Sequence, residues 1–204
     1  MEEIAGSARL TNLEPMVVAA EIDPELLAAC RCGDRNAFRA LFETYQDKVY
    51  SIALRYAGNH GEALDIAQDV FVKLFSQIQA FRGDSSFETW LYRLVVNRCL
   101  DHRRRLRRLV PLFELAVERF RVKERITGDL IRSEARQSVR SAIARLSPEL
   151  RMAVILRYTQ GLSYEQMAEA MSCSKGTVAS RLNRAHGQLS RRLAHLSGME
   201  YWDV

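Results

Sequence analysis

The sequence predicts an all-α protein of two small helical domains, a four-helix unit and a helix-turn-helix unit, joined by a flexible basic linker. Three observations carry this. Four prolines and ten glycines in 204 residues leave long stretches rich in Ala, Leu, Arg, Glu and Gln, which favour helix over a turn-punctuated β fold. Apolar residues recur at spacings of three and four on both sides of the chain's middle. Between about Leu109 and Thr127 that period weakens, with Pro111 at its start and Gly128 at its end, and this stretch reads as the linker.

Taken in order, residues 1–22 show no sustained period and read as an acidic, mobile extension. Asp23-Pro24 begins a short helix, with an acid before a first-turn proline. Gly33-Asp34 ends it and caps the next, about Arg35 to Tyr56, with Phe38, Leu41, Phe42, Tyr45, Val49 and Ile52 on one side. Asn59-His60-Gly61 makes a turn into a third helix, about Glu62 to Gln77. A polar loop, Arg82 to Ser86, leads into a fourth, about Phe87 to Arg108, which completes a bundle over 23–108. After the linker (109–128), a helix runs from about Asp129 to Leu146. Ser147-Pro148-Glu149 caps another that reaches Tyr158 and stops at Gly161. Ser163 caps a short helix to Met171, and after Cys173-Ser174 a longer one runs from Lys175 to about Leu196, within a second domain over 129–196. Residues 197–204 form a tail.

Charge is distributed unevenly over the net +5. Residues 1–30 hold six acids and one base, a net of −5, so the remainder carries +10. Residues 101–140 hold twelve Lys and Arg against six acids, which places +6 in one central stretch and points to a polyanion partner. The plainer reading of a basic run is solvated surface. No stretch approaches the ~18 apolar residues of a membrane span, and Glu2 and Glu3 stand where a signal peptide is basic, so a cytoplasmic protein without membrane insertion is expected.

Four scattered cysteines (Cys30, Cys32, Cys99, Cys173) do not make a disulfide scaffold. Cys30 and Cys32 lack further ligands at zinc spacing, and Cys99 with His102 supplies two at most, so all four read as reduced packing residues and no metal or cofactor is expected. No Gly-rich phosphate loop, GxSxG elbow or HExxH motif occurs, and catalysis has no candidate constellation.

Three constellations remain. In the last helix Val178, Leu182, Ala185, Leu189, Leu193 and Leu196 form an apolar stripe, while Thr177, Arg181, Arg184, Gln188 and Arg191 form a polar one. With Met167, Ala168 and Met171 on the preceding short helix and a tight turn between, this reads as a helix-turn-helix whose second helix fits a major groove. The plainer alternative is an αα-hairpin with a basic face. In the fourth helix Trp90, Leu91, Leu94 and Val95 face the core, and Arg93, Asn97, Asp101, Arg104 and Arg108 follow another face. Phe81, Phe87 and Tyr92 beside these bases fit single-stranded nucleic acid, although Phe87 and Trp90 taken singly read as core. On the third helix, Asp65 and Asp69 repel mildly at a spacing of four and, with Gln68, mark either a surface for a basic protein or a solvated face.

The stretches LDIAQDVFVKLF, FRGDSSFETWLYRLVVNRCLDHRRR and LSYEQMAEAMSCSKGTVASRLNRA, in this order, resemble successive signatures of the extracytoplasmic-function sigma factors, bacterial RNA polymerase specificity subunits of the sigma-70 family. The resemblance covers about residues 24–108 and 129–196. It implies that Asp65, Gln68, Asp69 and Phe71 dock on the β′ clamp helices of core RNA polymerase, which the β subunit also joins in contacting the chain. It implies that Arg82, Gly83, Asp84, Ser85, Ser86 and Phe87 form the loop capturing a base flipped from the minus-ten element of promoter DNA. Asn97, Arg98, Asp101 and Arg104 would read and open that element. Ser174, Lys175, Thr177, Ser180, Arg181 and Arg184 would read the minus-thirty-five element, and the linker would thread toward the RNA exit path. An anti-sigma factor is a further expected partner. Ala179 and His186 stand where the family often has basic residues, which leaves two phosphate contacts unassigned. The rival readings are a sigma mimic that sequesters an anti-sigma factor and a stand-alone helix-turn-helix regulator. The first has no need of the DNA contacts, and the second has no need of the acidic face or the loop.

Overall fold

The computed structural model describes residues 22–109 and 130–194, all helices and connections, so the acidic extension, the linker and the tail lie outside the described residues. Among the described residues eight α-helices follow one another: α1 Pro24–Arg31, α2 Arg35–Ala57, α3 His60–Gln77, α4 Phe87–Leu109, α5 Leu130–Ala144, α6 Pro148–Gln160, α7 Tyr164–Ala170 and α8 Lys175–Leu193. A 3₁₀ turn, Ile78–Ala80, continues α3, and the sequence pattern does not announce it.

The boundaries follow from local chemistry. The first N–H groups of a helix lack intrahelical acceptors, and a short polar side chain before the first turn supplies one. Asp23 accepts from the Glu25 amide, Asp34 from those of Asn36 and Ala37, and Asn59 from that of Glu62. Ser163 and Gln166 form a reciprocal capping box, and Ser174 accepts from the Thr177 amide. At the other ends, Gly58 and Gly161 take left-handed conformations (φ 85° and 67°) that a side chain would strain. The expected starts and ends hold to within a few residues, α3 beginning at His60 rather than Glu62.

In the first half α3 packs on both α2 and α4, and α1 lies on α2. Leu41, Ile52, Ile66, Leu74 and Leu91 are fully enclosed, each worth about 1.5–3 kcal/mol of burial. In the second half α8 carries α5, α6 and α7, with Val178, Leu182 and Ala185 inward, as its period predicts. A small separate cluster, Leu146, Leu150, Val154 and Ala185, ties α6 to α8.

The halves do not stand apart. One continuous apolar core runs from Cys30 to Leu182, because α6 packs on α2 and α4 and α7 packs on α4. Nothing in the helical periods predicts this contact, since a period identifies a buried face without identifying its partner.

Candidate functional site

Three surfaces gather the residues that the sequence singles out. The first is a groove of about 750 Å³ between α2 and α3. Phe71, 7% exposed, lies at its floor with its ring 4.7 Å from that of Phe42, and Phe38 meets Phe75 at 4.9 Å. Gln68 lines the groove, and Asp65 and Asp69 are exposed on the same helix. Leu64, Val72 and Phe75 also line it and are 49, 63 and 54% exposed, which is unusual for large apolar side chains clustered on one helix and marks a contact surface. Sequence reasoning missed Leu64, Val72 and Phe75, and it put Phe42 on the same side of α2 as Leu41, which is fully buried while Phe42 is exposed. The available signal was excess: α3 has more apolar residues than one buried face requires.

The second surface is the loop before α4 and the outer face of that helix. Arg82, Gly83 and Asp84 are exposed and Ser85 is half-buried, with Gly83 in a left-handed turn (φ 81°). The Ser86 hydroxyl is engaged as a cap, 2.8 Å from the Thr89 hydroxyl and 3.2 Å from its amide. Phe87 is buried, its ring 5.4 Å from Tyr45 and 5.9 Å from both Phe81 and Trp90. Of the two readings of these aromatics, the core one fits the free chain: Phe81, Phe87 and Tyr92 are at most 6% exposed, and the ring cluster supports the loop from beneath. Burying ~150–250 Å² per ring outweighs leaving them free for a ligand. Tyr45 shows the same enclosure, its hydroxyl pKa pushed up to about 12 by burial and by nearby Glu88.

Along α4, Asn97, Asp101 and Arg104 share one face at helical spacing, and Arg98 lies about 100° round the helix from Asn97, on the side toward α3. Asn97, Asp101 and Arg104 are exposed, Arg104 resting 3.3 Å from Asp101. Arg98 approaches Asp69 of α3 at 3.9 Å, so the acidic groove face and the α4 face adjoin.

The third surface is α7, the turn after it and α8. Ser172 holds a left-handed conformation (φ 49°) in that turn, a position without the glycine that usually announces such geometry. Ser174 and Thr177 share a hydroxyl contact of 3.0 Å at the start of α8. Lys175 reaches back to Glu165 of α7 at 2.6 Å, and that hydrogen bond holds the Glu165 carboxyl below its usual range. Arg181 is half-buried with its guanidinium 3.4 Å from the Cys173 sulfur, whereas Ser180 and Arg184 are exposed. At 3.6 residues per turn, the line opposite buried Val178, Leu182 and Ala185 is Gly176, Ser180, Asn183 and Gly187. Small residues here let a helix approach a surface closely, flanked by Arg184 and Arg191. Asn183, exposed on this line, was missed by reading only the charged stripe.

Cys30 and Cys99 are buried, their thiols pushed up by burial, and no group of three or more His, Cys, Asp or Glu among the described residues is placed to hold a metal ion. Among the same residues no helix is long and apolar enough to cross a membrane.

Comparison with known proteins places both halves. Residues 41–109 match Sigma-70 region 2, and residues 136–189 match Sigma-70, region 4. The chain is 35% identical over 188 residues to the RNA polymerase sigma-H factor of Pseudomonas aeruginosa, covering 86% of this chain and 96% of that one. It is 36% identical over 183 residues to the ECF RNA polymerase sigma-E factor of Escherichia coli K12, covering 85% and 95%. Among solved structures, the co-crystal structure of the sigma factor RpoE with the anti-sigma factor NepR from Bartonella quintana aligns with a TM-score of 0.60 at 25% identity, over 77% of this chain and 96% of that one. CnrH in complex with the cytosolic domain of CnrY shares the fold at a TM-score of 0.61 and 24% identity, over 84% and 96%.

Proposed function

Since this chain belongs to the extracytoplasmic-function group of sigma-70 RNA polymerase sigma factors, we propose that its three surfaces divide the work of promoter recognition. The groove and the acidic face of α3 hold core polymerase. The α4 loop and the Asn97–Arg104 face take the minus-ten element, and α8 takes the minus-thirty-five element. The single observation carrying this division is that the exposed residues of each motif fall on a separate surface, one apolar and acidic, two polar and basic.

Duplex reading by α8 comes first. Phosphate contacts from Lys175 and Arg191 fix register, while Arg184, Asn183 and Ser180 reach base edges. Arg181 leaves the Cys173 sulfur at little cost and joins them. The loop then holds a base that has left the stack, a step costing a few kcal/mol, so a pocket that favours one base turns melting into selectivity. The chain supplies recognition in the cytoplasm, and polymerase performs the nucleotidyl transfer. An anti-sigma factor is the expected regulator, in line with the complex that the RpoE structure records.

A footprint of the holoenzyme tests the assignment of α8. Arg184→Ala should cost roughly 1–3 kcal/mol and relax one base position, and Lys175→Ala should weaken all sequences alike and lower the salt dependence. Upstream protection identical to wild type in both variants contradicts it.

A further inference from the structure

The outward side of α8 carries one side chain whose chemistry selects a single base. Opposite the buried stripe of Val178, Leu182 and Ala185 run Gly176, Ser180, Asn183 and Gly187, all exposed. Ala179, also exposed, lies one turn before Asn183 and about 40° round the helix from it. Glycine inside a helix is destabilising relative to alanine, and the fold does not require it at either position. A Cβ at Gly187 would meet nothing within 4 Å, and one at Gly176 would make only an ordinary 3.8 Å contact with the Ser174 hydroxyl. What bare backbone provides on this line is a close approach from outside.

The neighbours of Asn183 are engaged. The Arg181 guanidinium rests 3.4 Å from the Cys173 sulfur, Arg184 Nε donates to the Ser180 carbonyl at 3.3 Å, and His186 pairs with the Tyr158 hydroxyl at 2.7 Å. The Asn183 carboxamide hydrogen-bonds to no other described residue. Exposure alone says little, since a surface amide is ordinarily hydrated, but the chemistry of the group says more. In the major groove only adenine sets a donor, N6–H, beside an acceptor, N7; guanine offers two acceptors, thymine an acceptor and a methyl, and cytosine a donor. A carboxamide matches the adenine pair, its oxygen accepting from N6–H and its nitrogen donating to N7. Both bonds need the short Asn side chain within about 3 Å of the base edge, so the backbone itself must come close, as the small line permits.

Ala179 stands ~6 Å from Asn183 along the helix axis, one to two base-pair steps of ~3.4 Å. Its methyl offers apolar contact alone, and the apolar group of the major groove is the thymine methyl. We propose that Asn183 selects an adenine in the minus-thirty-five element and that Ala179 packs on the methyl of a thymine within two base pairs of it. The proposal rests on the sigma-factor reading and names the bases that the reading leaves open. Asn183 is neutral, so it contributes sequence selection, while the salt dependence of binding belongs to Lys175 and Arg191.

Holoenzyme built from core polymerase and the full chain, retained on duplex promoters selected from a pool randomised upstream, tests this. Wild type should fix adenine at one upstream position. Guanine there should lower retention about tenfold, and 7-deazaadenine, which lacks the N7 acceptor, about fivefold. With Asn183→Ala both changes should matter less than twofold, while the other positions keep their preferences and the salt slope is unaltered. Arg184→Ala should flatten a different position. Uracil in place of the adjoining thymine should cost wild type about threefold and Ala179→Gly nothing. Losses equal in wild type and in the matching variant overturn the proposal, as does a base other than adenine at the position that Asn183→Ala flattens. A uniform weakening of all sequences by Asn183→Ala with a shallower salt slope, the mark of a phosphate contact, overturns it too. Failure of wild-type holoenzyme to select any upstream element is a different result, and it overturns the sigma-factor reading itself.

Discussion

Core polymerase should bind the double variant Asp65→Lys, Asp69→Lys at least ~100-fold more weakly than wild type, since reversing two charges sets like charge against a basic partner surface, a juxtaposition that costs several kcal/mol. Both carboxylates are exposed, and Asp69 has only a 3.9 Å contact with Arg98, so the fold is not at stake and circular dichroism should be unchanged. Leu64→Ala with Val72→Ala should weaken binding by ~10- to 100-fold as well, because these side chains are wet in the free chain and gain only on docking. The two variants separate the contributions: charge reversal should lose its effect partly at high salt as screening grows, and the apolar pair should not. Full binding by both variants would remove the groove from the account.

Replacing Asp84 and Ser85 with Gly should impair opening by ~10-fold or more while leaving duplex promoter retention by holoenzyme nearly unchanged. The loop meets a base only after that base leaves the stack, so its loss is felt after the closed complex forms. Permanganate reactivity of bubble thymines should fall, and a template carrying a pre-melted mismatch should recover part of the loss. The ring cluster of Phe81, Phe87 and Trp90 is untouched by these changes, which keeps the loop's support in place. Equal loss of retention and opening would mean that the loop contacts double-stranded DNA or only supports the fold.

What the sequence made legible was local. Asp34, Asn59, Ser163 and Ser174 act as caps where their spacing predicts, because a cap needs only a side chain and the next turn. The inward stripe of α8 follows from period alone. The aromatics around the loop were legible only in part: Phe87 and Trp90 taken singly read as core, as they are, whereas Phe81 and Tyr92 beside arginines also fit a stacking platform in one dimension. The groove was hidden for a related reason, since Phe42 and Leu41 are neighbours in a pattern and only the placement of α3 decides which is enclosed. Buried Arg151 of α6, whose guanidinium donates to the Tyr56 carbonyl at 2.8 Å, gave no signal at all. Its acceptors are backbone carbonyls, one of them 95 residues away, and a carbonyl has no identity in sequence.

Run-off transcription with purified core polymerase and a pool of randomised upstream sequences tests the central claim most directly. The account predicts that transcripts arise only when the chain is added, and that selected templates share two short elements about 25 base pairs apart, centre to centre, in line with duplex and melted-strand readers on separate halves. Retention of core polymerase with silence on every template would contradict it and favour a mimic that sequesters an anti-sigma factor.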